Sequence, residues 1–160
     1  MKTIRSISIL ISVFLSGCVV NLQDTITGNG NVVKQKRDVA EFTGIRVGSG
    51  IDVFLSQGDI FSLEVEADEN LQEWIRTEVD GTVLNIYTDK NIRLAKTKKV
   101  YVTCKILDRL DISLSSAGNA SVFVTEEASF RSSSAGSINY KGDPRIKEIH
   151  TSSAGSVNKK

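Results

Sequence analysis

The last third of this 160-residue chain repeats itself. Ser115-Ser116-Ala117-Gly118-Asn119 returns as Ser133-Ser134-Ala135-Gly136-Ser137 and again as Ser152-Ser153-Ala154-Gly155-Ser156. The alanines are 18 and then 19 residues apart. Each copy lies among alternating apolar residues: Ile112 and Leu114 precede the first, Ile138 and Tyr140 follow the second, and Val157 follows the third. A weaker relative stands upstream at Val47-Gly48-Ser49-Gly50-Ile51-Asp52-Val53. Self-similarity at a short fixed period marks units that bury their apolar face against the next unit.

Length restricts what such a unit can be. Eighteen residues at roughly 3.3 Å each trace a path of about 60 Å, enough for three short sides around a narrow core. Coils stacked in register bring the three Ser-Ser-Ala-Gly segments over one another. Ala117, Ala135 and Ala154 then point inward at tight corners. Gly118, Gly136 and Gly155 accept positive φ or the close approach of a neighbour, and the paired serines form hydroxyl ladders. The expected fold is all-β, a parallel β-helix-like solenoid with one short helical turn near residues 68–75. The competing arrangement is an antiparallel meander or sandwich with one hairpin per repeat, for which Glu126-Glu127 and Lys141-Gly142-Asp143-Pro144 offer turns. A leucine-rich repeat is disfavoured because Leu-x-x-Leu-x-Leu is missing.

Upstream of the repeats the pattern has period two. Ile51, Val53 and Leu55 alternate with Asp52, Phe54 and Ser56, and Leu63, Val65 and Ala67 with Glu64 and Glu66. Gln57-Gly58-Asp59 marks a turn, and Asp80-Gly81 a hairpin between Ile75–Val79 and Val83–Tyr87. Val100, Val102, Cys104 and Ile106 share one face, so Cys104 reads as a small buried apolar residue. The break is Asp68-Glu69-Asn70-Leu71-Gln72-Glu73-Trp74-Ile75, which suits one or two helical turns capped by Asp68, with Trp74 as a core plug.

The N-terminus is a different kind of sequence. Lys2 and Arg5 precede an apolar run from Ile7 to Leu15, followed by Ser16-Gly17-Cys18. That order describes a secretory signal, and the run falls short of the roughly 20 apolar residues that span a bilayer. Leu15-Ser16-Gly17-Cys18 resembles the lipobox of bacterial lipoproteins. The resemblance implies cleavage before Cys18 and lipidation of its sulfur, and Val19 at the next position permits sorting to the outer membrane. The expected organisation is a signal peptide over 1–17, a lipidated tether over 18–30 and one domain over 31–160.

Removing residues 1–17 from 160 leaves 143, the size of one domain. Lys2 and Arg5 leave with the signal, so 20 basic residues become 18 against 19 acidic ones. A net charge near zero disfavours nucleic acid as a partner. With Cys18 assigned to lipid, Cys104 stands alone and a disulfide framework is excluded.

Several motifs then occur in order: Phe42-Thr43-Gly44-Ile45, Gly50-Ile51-Asp52-Val53-Phe54-Leu55-Ser56-Gln57-Gly58, and Val65-Glu66-Ala67-Asp68-Glu69-Asn70-Leu71. With the Val-Tyr-Val-Thr strand and the Ser-Ala-Gly coils, they resemble the "putative auto-transporter adhesin, head GIN domain" family over about residues 28 to 160. The resemblance implies a secreted or lipid-anchored protein with a β-helix-like fold, and it brings no catalytic residues. This chain has fewer Ser-Ala-Gly coils than is usual in that family.

Chemistry for catalysis is sparse. His150 is the single histidine, and no His, Cys or carboxylate set has metal-ligand spacing. No nucleophile elbow or phosphate-binding loop is present. No catalytic, cofactor-binding or metal residues are therefore assigned. The expected function is a lipid-anchored, non-enzymatic binding or structural module of the cell envelope, touching glycans or other envelope proteins. The alternative is a carbohydrate-active β-helix enzyme, for which Asp52, Asp108 and Asp111 are the best acids and for which two carboxylates must share a groove. At the C-terminal end, Pro144 and Lys159-Lys160 suit an edge protected from pairing.

Overall fold

The computed structural model describes residues 25–58, 60–104 and 109–160. Cys18, the leader before it, Asp59, Ile106 and Asp108 lie outside the described residues. The chain forms β1 (Thr25–Thr27), β2 (Val32–Arg37), β3 (Gly44–Val47), β4 (Asp52–Gln57) and β5 (Ser62–Asp68). A 3-10 turn (Glu69–Trp74) leads to β6 (Ile75–Asp80), β7 (Val83–Thr88), β8 (Asn91–Leu94) and β9 (Lys98–Cys104). The repeats supply β10 (Arg109–Leu114), β11 (Asn119–Phe123), β12 (Glu127–Ser132), β13 (Ser137–Lys141), β14 (Arg145–Thr151) and β15 (Ser156–Lys159). Within the stretch expected as tether, Thr25–Thr27 is already a paired strand.

The strands form three open sheets. Six run in the order β14-β12-β10-β3-β7-β6, seven in the order β15-β13-β11-β4-β9-β5-β2, and β1 pairs with β8 alone. Pairing between successive repeats is parallel and in register: Ile112 lies beside Phe130, and Ala120 beside Ile138. Each repeat contributes one strand to each large sheet, so it has two sides around the core and not three. The antiparallel alternative fails between repeats; the antiparallel pairs are β2 with β5, β5 with β9 and β6 with β7. The expected hairpin is present, with Asp80 facing Val83 and Gly81 at positive φ.

Inward side chains of both large sheets make one buried cluster. Ile45, Leu84 and Ile112 come from one sheet, Val53, Val100 and Ile138 from the other. Phe130 of β12 stacks on Tyr140 of β13 with ring centroids 4.9 Å apart, joining the two sheets directly. Cys104 is buried as expected, and burial pushes its thiol pKa up. Strand order does not follow the chain: β3 and β4 sit between β7 and β9, which come later in the chain, on one side and β10 and β11 on the other.

The corners differ from expectation in an instructive way. Ala117, Ala135 and Ala154 are exposed, whereas Gly118 and Gly136 are buried and Gly155 is partly so. Positive φ falls on Ser134 and Ala135 and on Ser153 and Ala154, as it does upstream on Ser49 and Gly50. At the second and third corners two successive left-handed residues turn the chain sharply and swing the alanine methyl to solvent; at the first only Ser116 is left-handed, and Ala117 is exposed without it. The glycines serve close approach instead: a Cβ on Gly118 would stand 2.5 Å from the Ile51 carbonyl oxygen, and one on Gly155 2.3 Å from that of Ser132. Backbone bonds link the corners, from the Ala117 amide to the Ser134 oxygen (2.9 Å) and from the Ala135 amide to the Ser153 oxygen (3.0 Å). Among the described residues the hydroxyl ladder joins Ser156 to Ser137 at 3.2 Å, one position beyond the glycine.

The turn after β5 also departs from the sequence reading. It is 3-10, and the Asp68 side chain makes no cap bond. Leu71, fully buried, is the plug, while Trp74 is half-buried with the Lys90 ammonium 3.8 Å over its ring.

Candidate functional site: the outer face of the seven-stranded sheet

Because side chains alternate across a strand, every strand that sends valine or isoleucine inward must show its other residues to solvent. On β4 those are Asp52, Phe54 and Ser56. On β9 they are Lys99, Tyr101 and Thr103, on β11 Ser121 and Phe123, and on β13 Asn139 and Lys141. Register then aligns them. Asn158 lies beside Asn139, Asn139 beside Ser121, Ser121 beside Phe54, and Phe54 beside Tyr101. Strands about 4.8 Å apart make this a row of roughly 20 Å across the sheet.

One end of the row is aromatic. The Phe54 and Tyr101 rings stack with centroids 5.1 Å apart and planes 17° from parallel. Phe123 stands in the adjacent row and is 45% exposed. These three rings line an open groove of about 950 Å³ together with Ser121, Asn139 and Lys141. Among the described residues no Asp or Glu side chain lines it. At the Tyr101 end, Lys34 stands 5.0 Å from the ring centroid and pairs with Glu64 at 2.8 Å. The bond to Glu64 holds the Lys34 ammonium above its usual pKa.

The arrangement offers apolar ring faces flanked by neutral hydrogen-bonding groups and an ammonium, which suits binding more than bond cleavage. Of the acids named from sequence, Asp52 lies in the seven-stranded sheet and accepts from the Asn119 amide and side chain, each at 3.0 Å. Asp111 lies on β10 in the other large sheet. Asp52 does share a second cleft with Glu66, but Glu66 is paired with Lys34 and Lys99 at 3.6 and 3.8 Å. His150 is exposed on β14. Among the described residues no three His, Cys, Asp or Glu groups are placed to hold a metal ion. No helix there is long and apolar enough to cross a membrane.

The six corner residues Ala117, Gly118, Ala135, Gly136, Ala154 and Gly155 are brought together along one edge of the stack, away from the ring-lined groove. Phe54, Tyr101 and Phe123 were not singled out from sequence. Their signal was available: aromatic residues at the polar positions of an alternating strand are misplaced for a core and placed for a ligand.

Residues 41–116 match the family model described as "Putative auto-transporter adhesin, head GIN domain". This stretch is similar to head GIN domains. The resemblance read over residues 28 to 160 is thus matched from just before β3 into the first Ser-Ser-Ala-Gly corner, and the matched stretch contains Phe54 and Tyr101 but not Phe123. No curated protein matches the sequence. Among solved structures, a "putative adhesin" from Parabacteroides merdae aligns at TM-score 0.48 and 12% identity, over 86% of this chain and 99% of that one. A "putative lipid binding protein" from Parabacteroides distasonis aligns at 0.45 and 20%, over 85% and 99%. A "putative adhesin" from Bacteroides fragilis aligns at 0.48 and 15%, over 84% and 100%.

Proposed function

We propose that the protein is a lipid-anchored binding module of the cell envelope that takes glycans on the outer face of its seven-stranded sheet and catalyses no reaction. The observation that carries this is the groove lined by Phe54, Tyr101 and Phe123 beside Ser121, Asn139 and Lys141. A pyranose ring has an apolar C–H face that stacks on aromatic rings and a rim of hydroxyls that meets amides, hydroxyls and ammonium groups. The head GIN family's adhesin description agrees with such a role. The architecture is read as a two-sided β-helix-like solenoid, a reading supported by the in-register parallel pairing of β10 with β12 and β12 with β14. A rigid stack of this kind keeps the groove's rows aligned.

A glycan array probed with the mature protein is the direct test. Phe54→Ala, Tyr101→Ala and Phe123→Ala should each weaken the retained glycan at least about tenfold while leaving the melting temperature within a few degrees. A protein that retains no glycan but captures an envelope protein through the same three side chains moves the role to protein adhesion. The anchor has its own test: Cys18→Ala should abolish palmitate labelling and release the protein from membranes, outer membrane included. Labelling that persists removes the anchor.

A carbohydrate-active enzyme is the second reading, favoured only by Asp52 and Glu66 lining one cleft. Incubation with envelope polysaccharides should release no new reducing ends. Release that disappears in Asp52→Asn would replace the binding module by an enzyme.

A further inference from the structure

We propose that the segment Lys90–Lys99 is a second contact with the membrane, binding the anionic lipid headgroups of the bilayer that holds the anchor and so fixing the domain in one orientation. The inference rests on the lipid-anchor reading above. The segment reads Lys90-Asn91-Ile92-Arg93-Leu94-Ala95-Lys96-Thr97-Lys98-Lys99, five cations and no acid in a mature chain of nearly balanced charge.

Its place in the fold is set by the tether. Thr25 pairs with Asn91, Ile26 with Ile92 and Thr27 with Leu94, and the Gly28 amide donates to the Leu94 carbonyl at 2.8 Å. Six residues separate Cys18 from Thr25, seven Cα steps that reach at most about 25 Å when fully extended. The strand on which the tether lands is therefore held near the bilayer, and that strand, β8, lies inside the basic segment.

The surface has the chemistry for that position. Leu94 is 65% exposed and lies between exposed Arg93 and Lys96. Arg93, Lys96, Lys98 and Lys99 line one open cleft of about 630 Å³. The two acids of that cleft are engaged, Asp52 by Asn119 and Glu66 by Lys34 and Lys99. Lys98 turns inward and donates to the Ser49 carbonyl at 2.8 Å. The Lys96 ammonium reaches only the Gly30 carbonyl, at 3.5 Å, and among the described residues neither Arg93 nor Lys96 has a carboxylate partner. An apolar side chain between long cationic ones matches the bilayer interface, where the leucine enters the acyl boundary and the charges stay with phosphates. A basic patch beside a lipid anchor is drawn to anionic headgroups and so orients a domain that the acyl chains already hold.

The test uses the mature lipidated protein on vesicles of phosphatidylcholine alone or with about 30% phosphatidylglycerol. Flotation reports the anchor, and hydrogen exchange reports the segment. The expected result is flotation with both vesicles and amide exchange over residues 90–99 slowed about fivefold or more on the anionic ones. The slowing should vanish in roughly 0.5 M salt and in Arg93→Glu/Lys96→Glu. That variant changes two exposed residues, and its unchanged exchange over β10–β13 would show that it still folds. Flotation with both vesicles but equal exchange over 90–99 overturns this inference and leaves the anchor standing. Equal slowing by inorganic phosphate without vesicles also overturns it, making the cleft a site for free anions. Flotation with neither overturns the anchor and this inference together.

Discussion

Gly118→Ala should lower stability by about 3 kcal/mol and the melting temperature by roughly 10 °C. The reason is in the stacking of the corners. A Cβ at Gly118 would stand 2.5 Å from the Ile51 carbonyl oxygen, 3.3 Å from the Ile51 nitrogen and 3.4 Å from its carbonyl carbon. All three are backbone atoms, so no side-chain rotation relieves the clash. The Gly118 carbonyl also accepts from the Ser137 amide at 3.0 Å, so moving Gly118 away from Ile51 disturbs the next corner as well. Gly136→Ala should cost less, because the nearest atom is Leu114 Cδ2 at 3.0 Å, the end of a flexible side chain. The neighbouring position should respond with the opposite sign. Ala135 holds φ 64° and is exposed, and a left-handed conformation costs an L-residue about 1–2 kcal/mol. Ala135→Gly relieves that strain but frees the unfolded chain by up to about 1 kcal/mol, leaving a gain of about 0.5 kcal/mol. Thermal denaturation of the three variants checks the order. A harmless Gly118→Ala, or a destabilising Ala135→Gly, would mean that the corners are not packed as described.

The same corners show how much of the fold is legible in one sequence. Repetition at 18 and 19 residues carries the register, because apolar residues that return at a fixed interval must face the same core. Period two carries the strands, and Asp80-Gly81 the hairpin. The roles within Ser-Ala-Gly were not legible. Alanine and glycine are both small, and which one meets the neighbouring backbone depends on where the two positive φ values fall. Here they fall on Ser134-Ala135 and not on the glycine. The placing of β3 between β7 and β10, and of β4 between β9 and β11, was hidden for another reason. Parallel pairing is decided by long-range contact, and nothing near Gly44 or Asp52 in the chain names Val83 or Lys99 as a partner. The candidate site lay between these extremes. Alternation places Phe54, Tyr101 and Phe123 outward, but only the registers of β4 against β9 and of β11 against β4 show that they converge.

Asp68→Ala should lose about 3–5 kcal/mol. Asp68 was expected to cap a helical turn, and it holds three other segments instead. It is 1% exposed, and its Oδ2 accepts from the Gly30 amide at 2.9 Å. Its Oδ1 accepts from the amides of Lys96 and Thr97 at 3.1 and 3.3 Å. One carboxylate thus ties the end of β5 to the connection between β1 and β2 and to that between β8 and β9. Gly28 is the small residue that lets the chain pass, since a Cβ there would lie 2.0 Å from Oδ2. Truncation to alanine leaves three amides at a part-buried point without their acceptor and empties the buried site of the carboxylate, a costly change for hydrogen bonding. Asn keeps one acceptor oxygen but turns an NH₂ toward donors, so Asp68→Asn should fall between wild type and alanine. The damage should also be local. Hydrogen exchange is expected to rise first over residues 25–31 and 91–97, while β10 to β13 keep their protection until global unfolding. A loss below about 1 kcal/mol, or exchange rising evenly across the repeats, would show that Asp68 is not the fastening. If the chain is anchored through Cys18 as proposed, β1 is where the anchor's tether joins the domain, and Asp68→Asn should loosen that link without touching Phe54, Tyr101 or Phe123. Glycan retention by the soluble domain at low temperature is therefore expected to survive Asp68→Asn, separating the fastening of the tether from the binding face.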